Sequence, residues 1–190
     1  MTNQSAFTGT VHEKGKSHGM RKEWSMIAKV KPGREKQIRE DLVKMFIGEG
    51  LEEQQRHAAE TTLWDARFVL FDDDTRLMAG SSYEGTWDKY FEDHITSFGY
   101  DGPASWNNFA KHCQGLPDEG YRTIDELKAW LWEYQVEAVA FGVKIPGSTL
   151  KETQKALQVQ KAFQKVLDDP GAAEALEHPA LQPLLELAAD

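Results

Sequence analysis

The stretch LWDARFVLFDDDTRLMAGSSYEGTWDKYFEDHI, at residues 63–95, carries the strongest fold signal in the chain. Two runs typical of strands flank the acidic segment at residues 72–75. Aspartates favour a turn there because they cap backbone N–H groups and tolerate unusual backbone angles. The pattern predicts a β-hairpin. Thr86 then offers an N-cap, and apolar side chains follow at helical spacing: Trp87, Tyr90, Phe91 and Ile95. The stretch therefore predicts a hairpin that leads directly into a helix.

The segments around this hairpin extend the pattern of strands and helices. Residues 23–33 alternate apolar and polar side chains and end in Pro-Gly, which predicts a strand. Residues 34–50 place apolar side chains at helical spacing before two glycines, which predicts a helix. Further along the chain, residues 123–135 predict a helix, residues 136–147 a strand, and residues 148–171 a long amphipathic helix.

The order of these elements predicts an α+β fold. Once an inserted helical segment at residues 99–134 is set aside, the order is βαββαβ, as in a ferredoxin-like domain with an antiparallel sheet and helices on one face. We assign residues 1–22 to a flexible N-terminal arm, residues 23–168 to this domain, and residues 169–190 to a C-terminal tail with further helices. Because several strands carry apolar residues on both sides, we predict that a second subunit covers the other face in a homodimer.

Composition narrows the classes of partner. The chain has 31 acidic and 22 basic side chains, a formal charge of −9, which disfavours a nucleic-acid partner. It has a single cysteine, so no intrachain disulfide forms, and this count favours a reducing compartment. No apolar run approaches the 18 residues that a membrane span requires. We therefore expect a cytoplasmic protein with no nucleic-acid or membrane partner.

Several stretches resemble the dimeric α/β-barrel superfamily. MIAKVKPGREKQIREDLVKM, at residues 26–45, is similar to the first strand and helix of those proteins. ARFVLFDDDTRLMAGSSYEGTWDKYFEDHI (residues 66–95), HCQGLP (112–117) and QVEAVAFGVKIPGSTLKETQKALQVQKA (135–162) resemble later blocks of a bacterial branch of that superfamily. This branch is related to antibiotic-biosynthesis monooxygenase-like proteins and to dye-decolourising-peroxidase-like and chlorite-dismutase-like proteins. The resemblance implies a dimeric α/β barrel with a ligand pocket between sheet and helices.

The resemblance leaves three functions open, because a shared fold does not choose among chemistries. The first is a small-molecule enzyme of oxidative or isomerising type, an oxidoreductase in the monooxygenase-like case, that acts on an aromatic or polyketide-like substrate without a nucleotide cofactor. The second is a haem-binding, peroxidase-related protein. The third is a non-catalytic dimeric binding or scaffold protein. We expect no cofactor, with haem as the alternative, and a small hydrophobic or aromatic ligand.

Four side chains are candidate catalytic groups. His112 and Cys113 are adjacent in an aromatic, amide-rich segment, and a thiolate nucleophile needs a nearby base. The alternative is a small buried cysteine beside a histidine that packs in a loop. His94 shares a helix face with Tyr90 and can serve as a general base. The alternative is a surface or partly buried histidine that caps the helix end. If haem binds, His94 or His112 is its axial ligand.

The fourth catalytic candidate, Arg67, alternates with Asp65 on one strand face and can anchor a substrate carboxylate or carbonyl. The alternative is a salt bridge at an interface or across strands, with Glu137 as a partner for Arg67. Asp65 is also a candidate for substrate binding. The other candidates for substrate binding are four large aromatic residues and one amide: Trp64, Tyr83, Trp87, Trp106 and Asn108. The alternative for the aromatic residues is that they form the core. We predict no metal site, because the spacings CxxC and HxxxH are absent.

Overall fold

The structure, a computed structural model, describes residues 14–189, except for the side chains of residues 57–60. The chain divides into two units, Met1–Gly147 and Ser148–Asp190. The first unit is a mixed α+β structure with an open antiparallel sheet, and the described part of the second unit is helical. The prediction of an α+β fold is therefore confirmed at this level.

The sheet contains five strands: β1 (Ser17–His18), β2 (Arg21–Lys29), β3 (Leu63–Phe71), β4 (Arg76–Glu84) and β5 (Gln135–Val136). Their order is β1-β2-β4-β3, every pair is antiparallel, and β5 pairs with β2. β4 takes one edge of β2 along its whole length, so β1 and β5 share the other edge. The predicted hairpin is β3–β4, and all three aspartates of its turn have left-handed backbones, with φ of 53° at Asp72, 55° at Asp73 and 62° at Asp74. Aspartate visits this region more readily than most residues.

The described part of the first unit contains five helices: α1 (Glu35–Phe46), α2 (Leu51–Glu60), α3 (Trp87–Phe98), α4 (Asn107–Ala110) and α5 (Ile124–Tyr134). The helix predicted after the hairpin is α3, and the Thr86 hydroxyl accepts a hydrogen bond from the backbone N–H of Lys89, as an N-cap does. α5 begins with a complete capping box formed by Thr123 and Glu126. These local signals place the helix starts where the sequence predicts them.

One face of the sheet is buried against helices of this unit. On that face, β2 contributes Trp24, Met26 and Ala28, and β4 contributes Leu77, Ala79 and Tyr83. α1 buries Ile38, Leu42 and Met45, and α3 buries six side chains that include Trp87 and Phe91. The opposite face, here called the exposed sheet face, carries Ile27, Met78, Val69, Asp65 and Arg67. The core therefore lies on one side of the sheet.

The strand predicted over residues 136–147 is wrong, since only its first residue lies in a strand, β5. The remaining residues contact the β1–β2 turn through isolated hydrogen bonds and form no ladder with it. The N–H of Val143 donates to His18 Nδ1 at 2.9 Å, and the carbonyl of Pro146 accepts from Met20 at 2.9 Å. Val139 is 99% exposed. No side chain of residues 136–147 is buried, so the β-branched and apolar residues that predict the strand are not covered there, and Pro146 cannot donate to a ladder.

The flexible arm predicted over residues 1–22 extends too far. Ser17–His18 pairs with the start of β2, and the buried Glu23 carboxylate holds this hairpin. Glu23 accepts from the backbone N–H of Lys16 at 3.1 Å and from that of Ala138 at 3.3 Å. A buried carboxylate needs such donors, so the hairpin and residue 138 are tied together. Residues 1–13 of the predicted arm, including His12, lie outside the described part of the chain.

The second unit contains three helices in its described part: α6 (Leu150–Leu167), α7 (Ala173–Leu176) and α8 (Gln182–Ala188). Short 3₁₀ turns join them at Pro170–Ala172 and Pro179–Leu181. α6 is the predicted long amphipathic helix, but it buries none of its residues. The sequence placed α6 in the domain of residues 23–168, whereas the structure groups it with the tail from Ser148 onward. None of the described helices is long and apolar enough to cross a membrane.

A buried lysine joins α5 to α3 and gives a first testable prediction. The Lys128 ammonium lies 2.6 Å from Asp88 Oδ1 and 2.8 Å from Glu92 Oε1, while its side chain is almost fully buried. Lys128→Ala removes both ion pairs and is expected to lower the free energy of unfolding by about 2 kcal/mol in urea titrations, the size of a hydrogen bond to a charged group. Lys89→Ala, which breaks an exposed pair with Asp93 on the same helix, is the control and should cost nothing measurable. Equal losses in both variants would contradict the structural role of Lys128.

Candidate functional site

The ten side chains predicted to form a site lie in three separate places. Four are buried between the sheet and the helices: Tyr83, Trp87, His94 and Trp106. Three lie on β3, toward or on the exposed sheet face: Trp64, Asp65 and Arg67. Three lie on or just after α4: Asn108, His112 and Cys113. The structure does not bring the three groups together, so the contacts of each group are described separately.

The interior group packs as a core. The Trp106 ring contacts five other rings at centroid distances of 5.2–6.5 Å: Trp24, Phe68, Phe91, His94 and Phe109. Tyr83 stacks on Tyr90 at 4.2 Å, and Trp87 Nε1 donates to Gln135 Oε1 at 2.8 Å. Offset and edge-to-face pairs at these distances are typical of packed aromatic clusters. The geometry favours the core interpretation for Tyr83, Trp87 and Trp106.

Neither candidate histidine fits a haem. An axial ligand needs an imidazole nitrogen that faces a space large enough for iron and porphyrin. The buried His94 ring lies 4.6 Å from the Phe98 ring and 5.2 Å from the Trp106 ring, so packed side chains surround it. In His112, Nε2 is bonded to Asp41 and Nδ1 is buried. The residues present do not form a haem site.

Cys113 is a buried thiol. Its Sγ lies 3.9 Å from the carbonyl oxygen of Phe109, and burial raises its pKa to about 12. A thiol with so high a pKa carries almost no thiolate near neutral pH, and the thiolate is the nucleophile. The backbone of Cys113 forms an isolated β-bridge with Val30. These contacts favour the interpretation of Cys113 as a small packing residue.

The β3 group forms polar contacts with its neighbours. The Asp65 carboxylate accepts from the Ser82 hydroxyl, and Arg67 approaches Asp65 at 3.4 Å. Glu137, proposed from the sequence as a partner for Arg67, pairs instead with Lys16 at 2.9 Å, so that prediction is wrong. On the same strand, Trp64 Nε1 donates to Glu84 at 2.7 Å, and the Arg21 guanidinium stacks 3.2 Å from the Trp64 ring centroid.

A polar depression lies beside α1 and has a volume of about 210 Å³. Its lining residues are Asp41, Lys44, Glu49, Pro103 and Asn108, and we call it the α1 groove. Asp41 and Lys44 are three residues apart on α1, so they lie on one face of that helix. Sequence analysis identified Asn108 and missed the three charged residues, because nothing in their local pattern separates them from a solvated helix surface.

The Asn108 side chain is fixed in the α1 groove. Its Nδ2 donates to the carbonyl of Gly102 at 3.0 Å and to that of Pro103 at 3.1 Å. Both amide hydrogens are therefore used within the segment that precedes α4. Among the described residues, no donor is bonded to its Oδ1 atom, which can only accept.

His112 forms a hydrogen bond with the Asp41 carboxylate. His112 Nε2 lies 2.8 Å from Asp41 Oδ2, and the histidine side chain is 4% exposed. A carboxylate can only accept, so Nε2 carries the proton in this bond. Among the residues described, Nδ1 is buried without a hydrogen-bond partner. Burial lowers the pKa of His112, and the hydrogen bond to Asp41 opposes that shift. A neutral imidazole therefore orients Asp41 at the edge of the groove.

The lowered pKa of His112 predicts a pH dependence of stability. The folded state binds fewer protons than the unfolded chain below the ordinary histidine pKa of about 6.5, so stability rises with pH in this range. The contribution is complete above about pH 6.5 and is lost as the pH falls through the folded-state pKa. Urea unfolding between about pH 5.5 and pH 7.5 should give a steeper stability slope for the wild type than for His112→Gln. Equal slopes would contradict the burial of a neutral His112.

A larger depression, of about 640 Å³, lies in the second unit. Its lining includes two ionisable side chains, Glu174 and His178, both exposed. His178 Nδ1 already accepts from the backbone N–H of Ala180 at 3.2 Å, as an N-cap. The lining presents fewer free polar groups than the α1 groove, so the α1 groove is the stronger candidate site.

Comparison with known proteins does not assign the chain to a family, because no protein-family model, no curated protein and no solved structure matches it. The resemblance to dimeric α/β-barrel proteins therefore stays a prediction. Among the described side chains, those of residues 14–56 and 61–189, no group of three or more His, Cys, Asp or Glu is placed to hold a metal ion. The function is accordingly inferred from the geometry of the α1 groove.

Proposed function

We propose that the protein binds a small polar molecule in the α1 groove. The observation that carries this proposal is the convergence of a fixed carboxylate, a second carboxylate, an ammonium group and a fixed amide oxygen on one depression: Asp41, Glu49, Lys44 and Asn108. Binding sites are concave and place a small number of polar groups that orient the ligand. The hydrogen bond from His112 supports this role, since it holds Asp41 in one position.

The size of the groove favours a small ligand. A volume of about 210 Å³ corresponds to roughly seven water molecules, at about 30 Å³ each in the liquid. Pockets for drug-sized ligands occupy about 300–1,000 Å³ and are mostly apolar. The aromatic or polyketide-like substrate expected from the resemblance is larger and less polar than this groove accommodates. A compact, charged molecule is the better match.

Thermal stability measured with a panel of small polar metabolites tests this proposal. We expect at least one compound to raise the melting temperature of the wild type, because a ligand stabilises the state that it binds. Asp41→Asn should abolish that shift. Glu40→Gln is the matched control, since it removes a neighbouring negative charge on α1 outside the groove lining and should keep the shift. A shift that survives in Asp41→Asn would place the ligand elsewhere.

A second candidate is an enzyme of the isomerising type at the same groove, and the bond between His112 and Asp41 favours it. A positioned carboxylate can take a proton from a carbon next to a carbonyl and return it at another position. Lys44 would stabilise the negative charge that develops on the carbonyl oxygen. Proton NMR in D₂O tests this candidate, because C–H signals of a substrate should disappear with the wild type and persist with Asp41→Asn. Binding without exchange would reject the enzyme and keep the binding function.

We also propose that the first unit is a ferredoxin-like domain that forms a dimeric α/β barrel. The sheet supports this, because β4 lies between β2 and β3, as in a split βαβ arrangement whose final strand is shortened to β5. A second copy is the proposed cover of the exposed sheet face. That face carries both charge signs on one strand, at Asp65 and Arg67, so it can be complementary to itself about a twofold axis.

A further inference from the structure

We propose that the α1 groove recognises a primary ammonium group, in a small molecule that also carries a carboxylate. This inference rests on the proposed binding function and names the class of ligand. Among the residues that line the groove, three carry hydrogen-bond acceptors and one carries a charged donor. The acceptors are the carboxylates of Asp41 and Glu49 and the Oδ1 atom of Asn108, and the donor is the ammonium of Lys44.

The balance of acceptors matches the chemistry of an ammonium. A primary ammonium donates three hydrogen bonds and accepts none. Bonds between an ammonium and a carboxylate are charge-assisted, and they are shorter and stronger than neutral ones. A neutral alcohol has one donor hydrogen and leaves two acceptors unpaired. A carboxylate alone would be repelled by Asp41 and Glu49. The acceptor set therefore selects for a cationic donor group.

Lys44 is the reason that the proposed ligand also carries a carboxylate. Among the side chains that the structure describes, those of Lys44 and Glu49 form no hydrogen bond or ion pair, although both residues line the groove. The Lys44 ammonium is therefore free to bind an anionic group of the ligand, while the carboxylates bind its cationic group. A molecule with an amine and a carboxylate separated by a few carbon atoms satisfies both.

His112 is a positioning residue in this site. Its bond to Asp41 Oδ2 restricts the carboxylate and leaves Oδ1 for the ligand. Lys111 Nζ lies 3.8 Å from the same Oδ2 atom, so both protein partners approach one oxygen. In this arrangement Oδ1 of Asp41 binds the ammonium, and the same atom would be the base in the isomerising candidate.

A hard metal cation is the competing occupant, because oxygen ligands also suit Ca²⁺ and Mg²⁺. Two features favour the ammonium. The Lys44 ammonium has no lone pair, so this lining residue cannot be a ligand to a metal ion. The groove also offers only two carboxylates, from residues eight positions apart, Asp41 and Glu49. Binding of a metal cation is therefore one of the outcomes that the experiment below distinguishes.

Calorimetric titration with matched probes tests the inference. The probes are β-alanine, propionate, which lacks the amine, n-propylamine, which lacks the carboxylate, and CaCl₂. We expect β-alanine to bind about tenfold or more tightly than propionate or n-propylamine, as loss of one charge-assisted hydrogen bond predicts. Asp41→Asn and Glu49→Gln should each weaken β-alanine about tenfold. Lys44→Met should weaken β-alanine and leave n-propylamine unchanged. Glu40→Gln should change nothing.

The outcomes separate the ligand class from the site. If propionate binds as tightly as β-alanine and its binding depends on Lys44, the ammonium inference is overturned and the groove remains a binding site. CaCl₂ that binds more tightly than the amines, with dependence on Asp41 and Glu49, overturns the inference in favour of a cation. If no probe binds, or if binding is the same in Asp41→Asn, the inference is overturned. In that case the metabolite panel with Asp41→Asn and Glu40→Gln decides separately whether the groove binds at all.

Discussion

Trp106→Ala is expected to lower the free energy of unfolding by about 3–5 kcal/mol, the range for removing a large aromatic ring from a packed core. Trp106 lies at the centre of the aromatic cluster, and its ring contacts side chains from β2, β3, α3 and α4. Its removal leaves a cavity that these neighbours cannot close without breaking their own contacts. Urea unfolding followed by far-UV circular dichroism measures the loss.

Trp64→Ala is the matched control, because Trp64 is only half-buried and lies on β3, outside the aromatic cluster. It should cost less than half as much. A loss below about 1 kcal/mol for Trp106→Ala would show that the ring is not part of a packed core. That result would restore the interpretation of Trp106 as the wall of a ligand pocket.

Val69→Asp is expected to convert a dimer into a monomer. Val69 is 44% exposed on β3 and stands in one row with Met78 and Ile27 across the exposed sheet face. If a second copy covers this face, the substitution buries an unpaired charge in the apolar part of the interface, which costs several kcal/mol. Size-exclusion chromatography with light scattering measures the mass of the wild type and the variant.

Val43→Asp is the control for this prediction. Val43 is 49% exposed, close to Val69 in accessibility, but it lies on α1 and not on the sheet. The Val43→Asp protein should stay dimeric. A wild type that is monomeric, or a dimer that persists in Val69→Asp, would contradict the proposed assembly.

Local patterns were enough to predict the elements on which the fold depends. The turn at residues 72–75 and the cap at Thr86 are short-range signals, and the structure contains both. The strand expected over residues 136–147 failed for a non-local reason. A run of β-branched and apolar residues forms a strand only where a partner edge exists, and β1 already occupies part of that edge of β2.

The candidate site could not be predicted from local sequence patterns, because its residues are far apart in the sequence. Asp41 and His112 are separated by 71 residues, and only the packing of α1 against α4 brings them to 2.8 Å. The sequence singled out His112 for its chemistry but paired it with Cys113, its neighbour in the chain. In the structure, burial keeps the Cys113 thiol protonated. Proximity in space, and not in sequence, selects the partner of His112.

The most direct test of the proposed site is chemical-shift mapping of ¹⁵N-labelled protein titrated with β-alanine. We predict that the largest changes in amide shifts cluster around the α1 groove, at Asp41, Lys44, Glu49 and Asn108, and that they vanish in Asp41→Asn. The side-chain Nε2 signal of His112 should move with them, since it is bonded to Asp41. Changes confined to the exposed sheet face or to the second unit would contradict a binding site in the α1 groove.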